Sequence, residues 1–188
     1  MFNIKKMCAT TVVFCALCVN PAWGAAAKPR TQVTEVCKWK EVSCVSGKCT
    51  MQFPTPPEHL SEKMHVLEGG FDLMYDAYVS TPDQKTVFLL LVAQYPEFVD
   101  EQFARKNLEH FLNGMLMHNP NNQLIFADLT SVNGHEALDF FIRTGGLYFK
   151  GRALMVQNNL FLMAMECEVQ NYDELNYNRF VNSFILGE

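Results

Sequence analysis

The first half of the chain alternates hydrophobic and polar residues with the two-residue period of β-strands. This alternation predicts strands over residues 36–42, 48–53, 64–67 and 73–79. A further strand is predicted over 86–94, where an almost continuous apolar run leads us to expect cover on both faces of a sheet. Pro54, Pro56 and Pro57 follow the second strand, and a central strand tolerates no proline, so they end the first hairpin.

Two helices are predicted from apolar residues that recur at helical spacing. The first helix opens at Asp100 and ends at the Asn-Pro-Asn-Asn stretch 119–122. Its apolar stripe consists of Phe103, Leu108, Phe111, Leu112 and Met115. The second helix is predicted over 172–184, with Leu175, Phe180, Val181 and Phe184 on its inner face. In this phase Tyr177 faces outward.

Four strands lie between the two helices with short turns between them, over 123–132, 135–143, 146–156 and 160–166. Asn133-Gly134 is a strong signal for a two-residue hairpin. We expect Phe126 and Phe140 to lie in the core of this hairpin. The order of elements predicts an α+β fold, with a mainly antiparallel sheet of about six strands sandwiched by helices. Most of the methionines in the predicted elements are expected to fill the core; they are Met64, Met74, Met115, Met117, Met155, Met163 and Met165.

The first 24 residues have the features of a secretory signal peptide. Lys5 and Lys6 precede an uncharged apolar run of about 13 residues that is too short to span a bilayer. Small residues follow, and cleavage is expected at Gly24 or Ala25. We therefore expect a flexible lead-in over 25–34 and a single domain over 35–188. The mature protein is expected in the periplasm or secreted, without stable membrane insertion after cleavage.

Charge and composition exclude several classes of protein. The chain has 188 residues, is 49% hydrophobic and carries a net charge of -5. Removing residues 1–24 leaves 13 basic residues against 20 acidic ones, a net charge of -7. Nucleic acid is therefore not an expected partner, because its phosphates require clustered lysine or arginine. The hydrophobic content also excludes a disordered chain.

Four of the seven cysteines remain after cleavage, which suggests disulfides in an exported chain. Cys44 and Cys49 flank Ser46-Gly47 and are expected as a non-hydrogen-bonded hairpin pair, with Cα atoms about 4.5 Å apart. A second pairing, between Cys37 and Cys167, is left open. The spacing of the four cysteines does not match a zinc site.

Candidate catalytic groups are scattered along the sequence. The five histidines, His59, His65, His110, His118 and His135, form no metal-binding motif with one another, so we expect structural roles for them. Asp128, Glu136 and Asp139 fall on neighbouring strands, where a pair of carboxylates is conceivable. For Asp128 and Asp139 the alternative is exposure to solvent or ion pairs with Arg143 and Arg152. We assign no catalytic residue, metal or cofactor from the sequence.

Several short segments resemble the PsbP-like superfamily over roughly residues 38–186. They are Phe53-Pro54-x-x-Pro57, Asn133-Gly134-His135, Leu138-Asp139-Phe140-Phe141, Lys150-Gly151-Arg152-Ala153, Asn158-Asn159-Leu160-Phe161 and Phe180-x-x-Ser183-Phe184. The resemblance implies an α/β sandwich and a role in binding or assembly, as in the extrinsic subunits of photosystem II and a nuclear-import factor that binds Ran. It implies no shared set of catalytic residues. Cys44 and Cys49 depart from the pattern and suggest an oxidised, extracytoplasmic member.

Three functions follow as hypotheses. The favoured one is an exported, non-catalytic binding or assembly factor of the bacterial envelope, which holds a protein partner or an apolar ligand. The second is a small extracytoplasmic hydrolase centred on Asp128, Glu136, Asp139 or His135. The third is a structural envelope component linked to other chains by disulfides. A large exposed apolar surface would favour the first hypothesis, and a pocket that gathers the carboxylates would favour the second.

Overall fold

The computed structural model describes residues 39–44, 46, 48–66 and 70–187. Its strands are β1 (Lys40–Ser43), β2 (Cys49–Phe53), β3 (Glu58–Val66), β4 (Phe71–Ser80), β5 (Thr86–Gln94), β6 (Asn122–Val132), β7 (His135–Thr144), β8 (Leu147–Val156), β9 (Asn159–Glu168) and β10 (Ile185–Leu186). Its α-helices are α1 (Ala104–His118) and α2 (Glu174–Asn182). Short 3-10 helices cover Glu101–Phe103 and Val169–Asn171.

The strands form two antiparallel sheets in the described part of the chain. The larger sheet has seven strands in the order β3-β4-β5-β9-β8-β7-β6, and the smaller has three in the order β1-β2-β10. The meander from β6 to β9 lies between the two helices in sequence, as predicted. The α+β antiparallel fold class is confirmed; the large sheet has seven strands against the expected six or so, and the separate small sheet adds three.

Each face of the large sheet packs against its own layer. Helix α1 covers one face through Leu108, Phe111 and Met115, which contact apolar residues of β4, β5, β7, β8 and β9. Helix α2 and the small sheet cover the other face, with Phe53 and Phe180 in the centre. Strand β5 lies between both layers, and its apolar run is buried on both faces as predicted. The hydrophobic burial of both faces stabilises the three-layer arrangement.

Strand β3 differs most from the sequence prediction. It begins at Glu58 rather than near residue 64, and its residues are largely exposed and polar. It is an edge strand that pairs only with β4 in the described sheet. Hydrophobic periodicity misses such a strand because neither face needs to be apolar. The short strand β10, which pairs with β2, was not predicted either.

The phase of the second helix also differs from the prediction. Asp173 caps α2 by accepting hydrogen bonds from the backbone N–H groups of Leu175 and Asn176. The helix therefore buries Tyr177 together with Phe180 and Val181, at the i, i+3 and i+4 positions of one face. Leu175 is 80% exposed, so the prediction that it faces the core and Tyr177 faces solvent is wrong.

Two further core predictions are corrected in part. Phe103 lies in the 3-10 helix before α1 and is exposed, while the other four members of its predicted stripe are buried. Phe126 is 36% exposed, whereas Phe140 is fully buried. Among the methionines, Met115, Met155, Met163 and Met165 are buried as predicted, whereas Met74 and Met117 are exposed. The predicted signal peptide, its cleavage at Gly24 or Ala25, and the lead-in over 25–34 lie outside the described residues.

The hairpin between β6 and β7 forms as predicted. Asn133 and Gly134 both have positive φ angles, of 53° and 85°, which the tight turn requires at its two central positions. Glycine adopts this backbone conformation without a steric penalty, and asparagine tolerates it better than most residues. The turn sets the register in which Asp128 lies opposite Asp139.

Candidate functional site

Strand β6 is the edge of the large sheet at the end opposite β3. Within the described residues it pairs on one side only, with β7. Three consecutive apolar residues near its start are exposed, Leu124, Ile125 and Phe126. Edge strands of soluble proteins are usually shielded by charge or by proline, because their free backbone groups pair readily with other chains. Neither shield is present in this part of β6.

The apolar stretch coincides with a β-bulge. Leu124 lies opposite Ile142, and Phe126 lies opposite Phe141, so Ile125 is the extra residue on β6. Ile142 belongs to the core on the α1 side of the sheet. The bulge therefore lets Leu124 and Phe126 reach opposite faces of the sheet, although they are two residues apart. The exposed apolar surface consequently wraps around the edge.

Four aromatic rings continue this surface on the α2 side; we call Phe126, Phe141, Tyr148 and Tyr172 the aromatic row. Neighbouring ring centroids lie 6.0 Å apart for Phe126 and Phe141, and 5.2 Å apart for Phe141 and Tyr172. Tyr148 contacts both Phe141 and Tyr172, with centroids 4.8 and 5.6 Å away. All four side chains are partly exposed. Such rings offer a large apolar contact area with little conformational entropy to lose.

Lys150, on β8, contacts rings of the aromatic row. Its Nζ lies 5.5 Å from the centroid of Phe141 and 4.6 Å from that of Tyr177, within the range of cation–π attraction. The same ammonium donates hydrogen bonds to both carboxylate oxygens of Glu174 at 2.8 Å and to the Tyr172 hydroxyl at 2.9 Å. Tyr172 also donates to Glu174. These contacts join the start of α2 to β8 and hold the aromatic row in place.

The electrostatics of this cluster agree with its geometry. The hydrogen bonds from Lys150 and Tyr172 lower the pKa of the Glu174 carboxyl. Burial and the neighbouring Glu174 raise the pKa of the Tyr172 hydroxyl. Tyr172 therefore remains a neutral donor to a charged Glu174 over the ordinary pH range, and the cluster is preserved.

The opposite edge of the sheet is charged, in contrast to β6. On β3, Lys63 pairs with Asp72 at 2.6 Å, and His65 lies 2.8 Å from the same carboxylate. The hydrogen bonds from Lys63 and His65 lower the pKa of Asp72. His59 hydrogen-bonds to Asp76 and stacks on Tyr78. Charges on an edge strand discourage pairing with another chain, so β3 is protected by charge, whereas the apolar part of β6 has only its bulge.

The candidate carboxylates do not converge on one pocket of the described structure. Asp139 forms a two-point ion pair with Arg152, as the alternative reading anticipated. In the register of the hairpin, Asp128 lies opposite Asp139, and Glu136 lies opposite Ser131 near the turn. The other candidate, His135, lies in a separate cleft, where its Nδ1 is 3.4 Å from Glu101. The second arginine, Arg143, donates to the carbonyl of Gly145 instead of to a carboxylate.

The other candidate ligands and cysteines are placed as follows. His110 lines a small cavity of about 140 Å³ beneath α1, and His118 is the last residue of α1. Among the described residues, no three or more histidine, cysteine, aspartate or glutamate side chains form a group that could hold a metal ion. The sulfur atoms of Cys44 and Cys49 lie at disulfide distance. Cys167 is buried, and Cys37 lies outside the described residues, so their pairing stays a prediction.

The geometry of the cysteine hairpin corrects one expectation. The N–H of Cys44 donates to the carbonyl of Cys49 at 2.9 Å, and the Cα atoms are 5.5 Å apart. The two cysteines are therefore a hydrogen-bonded pair, and the expectation of a non-bonded pair at about 4.5 Å is wrong. In a two-residue hairpin the pair that flanks the turn is hydrogen-bonded and the next pair is not, so a hydrogen-bonded pair at 44 and 49 does not fit the two-residue turn that was assumed.

Sequence reasoning missed both the edge surface and its anchor. One signal was present: three consecutive apolar residues, Leu124 to Phe126, cannot all face one core in an alternating strand. Such a run indicates either burial on both faces, as in β5, or a bulge with exposed side chains, as in β6. The contacts of Lys150 with Tyr172 and Glu174 join residues 22 and 24 positions apart, and no local pattern encodes them.

Among the described residues, no helix is both long enough and apolar enough to cross a bilayer.

Comparison with known proteins places the fold. No protein-family model matches the sequence, and no curated protein matches it. The solution structure of cyanobacterial PsbP from Synechocystis sp. PCC 6803 matches with a TM-score of 0.56 and 10% identity, over 84% of this chain and 98% of that one. A protein from Bacteroides thetaiotaomicron matches with a TM-score of 0.45 and 8% identity, over 79% of this chain and 48% of that one.

A protein of unknown function from Pseudomonas aeruginosa, described as a putative regulator, matches with a TM-score of 0.39 and 12% identity, over 74% of this chain and 88% of that one. Of these three, only the cyanobacterial structure is similar enough to bear on the architecture. Its match extends over most of both chains. The chain therefore has a PsbP-like fold.

Proposed function

We propose that the protein is a non-catalytic binding factor of the bacterial envelope that holds an extended apolar segment of a protein partner at the β6 edge. The observation that carries this proposal is the exposure of Leu124, Ile125 and Phe126 on an edge strand beside the aromatic row. An extended segment that pairs with an edge strand gains backbone hydrogen bonds from the strand and specificity from side-chain contacts.

Two parts of β6 contribute in different ways. From Phe126 to Val132 the strand keeps a regular antiparallel register with β7, so its outer side offers backbone groups at regular intervals. Around the bulge the strand offers apolar side chains instead. A partner segment that lies along β6 would therefore hydrogen-bond to the regular part and place its apolar side chains against Ile125 and the aromatic row.

The bulge favours a partner segment over a second copy of this chain. A symmetric dimer that pairs β6 with itself around Ile125 would bring two bulges to the same point, and each bulge interrupts the ladder. Moving the twofold axis to Ala127 would place Asp128 of one copy beside Phe126 of the other. Neither arrangement uses both the apolar residues and the regular ladder. A single flexible segment uses both.

The position of the candidate carboxylates supports a non-catalytic role. Asp139 is held by Arg152, and His135 contacts Glu101 in a cleft that none of the three candidate carboxylates lines. The location in the envelope is supported by the leader-like sequence of residues 1–24 and by the Cys44–Cys49 pair.

Site-specific photocrosslinking in the native host tests the proposal. A photoreactive amino acid is placed at Ile125 in one variant and at Leu175 in another. Leu175 is the matched control, because it is also an exposed apolar residue but lies on α2. Mass spectrometry then identifies the crosslinked peptide.

We expect one protein to crosslink from position 125 through an apolar segment and not from position 175. The substitution Phe126→Lys should remove this crosslink, because it places a charge at the centre of the contact. Crosslinks of equal yield from both positions, or none from position 125, would reject the β6 edge as the binding site. A crosslink to a second copy of the chain would show that the β6 edge forms a dimer instead of binding a different protein.

A further inference from the structure

A second binding site lies at the end of the sandwich where the cysteine hairpin meets the turns of the large sheet. We propose that this cleft binds a small monocarboxylate with an apolar body, through the ammonium group of Lys48. The proposal is independent of the β6 edge, because the cleft is lined by none of the residues of the aromatic row. It has a volume of about 440 Å³, which lies within the usual range of small-molecule sites.

Residues far apart in sequence line the cleft. Lys48 comes from the cysteine hairpin, His135 from the β6–β7 turn, and Asn159 and Phe161 from the start of β9. Leu186 of the C-terminal strand β10 completes the wall. Because β10 pairs with β2, and the carbonyl of Lys48 accepts a hydrogen bond from Gly187 at 2.7 Å, the hairpin and the C-terminal strand form a continuous support.

Lys48 is the group that selects the ligand. Its Nζ donates to Oδ1 of Asn159 at 2.6 Å and to Oε1 of Gln94 at 3.1 Å. Both acceptors are neutral amides. No carboxylate of a described residue lies within salt-bridge distance of this ammonium, whereas Lys63, Lys85 and Lys150 each have one. Two of its three N–H groups are used, so one remains for a ligand.

The surroundings of Lys48 make an anion favourable there. Burial lowers the pKa of the Lys48 ammonium, and the charge of Asp76 acts in the opposite direction. A partly buried cation held only by amide oxygens gains from a carboxylate, because a charge-assisted hydrogen bond is shorter and stronger than a neutral one. Asn159 is itself buried, so its amide fixes the position of the ammonium.

The rest of the cleft defines the body of the ligand. Val156, Phe161 and Leu186 give it an apolar lining. Glu101 is the one carboxylate of the described residues that lines the cleft; its Oε2 accepts from the backbone N–H of Gln157 at 3.0 Å and lies 3.4 Å from His135. Glu101 would repel negative charge near His135, so the carboxylate of a ligand is placed at Lys48 and the rest of the ligand is uncharged. The lining therefore matches a single carboxylate attached to an apolar chain or ring.

Binding of octanoate, measured by calorimetry and by two-dimensional NMR, tests the proposal. Octan-1-ol serves as the uncharged probe of the same length and requires no variant of the protein. We expect octanoate to bind at least about tenfold more tightly than octan-1-ol and to shift the side-chain amide resonances of Asn159. Equal binding of the two probes, or no binding of octanoate, would overturn the proposal.

Two variants separate the role of Lys48 from general apolar binding. Lys48→Met should weaken octanoate binding about tenfold and leave octan-1-ol binding unchanged. Lys85→Met is the matched control, because Lys85 is an exposed lysine that precedes β5, at the other end of that strand from Gln94. If Lys48→Met binds octanoate as tightly as Lys85→Met does, the assignment of Lys48 is wrong. Circular dichroism spectra verify that both variants are folded. If a variant is unfolded, the comparison of octanoate with octan-1-ol on the unaltered protein still decides the proposal.

Discussion

Arg152 and Asp139 form a two-point ion pair between β8 and β7. Arg152 Nε and Nη2 donate to the two carboxylate oxygens of Asp139 at 2.6 and 2.8 Å. Asp128 lies directly opposite Asp139 on β6. The guanidinium therefore neutralises one of two facing carboxylates, and hydrogen bonding to Asp139 raises the pKa of Arg152. This relationship explains why two acidic residues occupy neighbouring strands without forming an acid–base pair.

The first prediction concerns the stability that this ion pair provides. Asp139→Asn removes the carboxylate charge from this pair, whose two side chains are each about a quarter exposed. We therefore expect the free energy of unfolding to fall by about 1–2 kcal/mol. Asp128→Asn is the matched control and should cost less than about 0.5 kcal/mol, because it removes a like charge. Urea denaturation measures both values. An equal loss in the two variants would contradict the pairing.

The second prediction compares two phenylalanines of the β6–β7 hairpin. Phe140 is fully buried beneath α1 and contacts Phe111 and Phe149, so Phe140→Ala should cost about 3–5 kcal/mol. Phe126 is partly exposed, and Phe126→Ala should cost about 1 kcal/mol or less. Thermal or urea unfolding distinguishes these values. A cost below about 1 kcal/mol for Phe140→Ala would show that this face of β7 is not in the core.

Gly151 gives a third prediction, which depends on its closeness to the ring of Phe140. A Cβ atom at Gly151 would lie 2.6 Å from Cζ of Phe140 and 3.1 Å from the carbonyl oxygen of Met163. Gly151→Ala should therefore cost about 1–3 kcal/mol through overpacking. The added cost should be smaller in a Phe140→Ala background, because the ring is then absent. A double-mutant cycle measures this coupling, and strict additivity would contradict the close approach.

The fourth prediction concerns the thiol of Cys167 when it is not engaged in a disulfide. Cys167 is 1% exposed, and burial raises its pKa from 9.0 to about 11. The folded state then holds this proton more tightly than the unfolded state. The stability that the neutral thiol contributes is present below pH 9 and is lost as the pH rises through about 11.

Alkylation with iodoacetamide at pH 8.5 measures the accessibility of this thiol. We expect Cys167 to react much more slowly in the native protein than in denaturant, and Cys167→Ser to lose the stability change between pH 9 and 11. Rapid labelling of the native protein would show that the thiol is accessible. Absence of any thiol in the denatured, unreduced protein would show instead that Cys167 is bonded, to Cys37 if the protein is a monomer or to another chain if it is a disulfide-linked oligomer.

The sequence contained enough information for the central part of the fold. Strand β5 is an unbroken apolar run, and Asn133-Gly134 allows few conformations other than a tight turn, so both were predictable. Strand β3 was not predictable in full, because an exposed edge strand has no apolar face to produce a pattern. The phase of α2 depended on the cap at Asp173, and a helix predicted to begin two residues too early, at 172, puts Leu175 on the inner face in place of Tyr177.

The candidate sites were less predictable than the fold. Lys48 donates to Gln94 and Asn159, which are 46 and 111 residues away, and both contacts form only when the sheets assemble. The exposure of Phe126 follows from the bulge at Ile125, which changes the face of every later residue of β6. Local patterns do not contain such long-range geometry. They did indicate correctly that Asp139 pairs with an arginine.

The most direct test of the central claim is amide hydrogen exchange along β6, with and without the partner segment as a synthetic peptide. A peptide identified by the crosslink at position 125 is added at saturation, and exchange is followed by NMR. The account predicts slower exchange in residues 126–132 and no change in β3, whose edge is charged. Unchanged exchange in β6, with protection at another surface, would contradict the claim that this edge binds the partner.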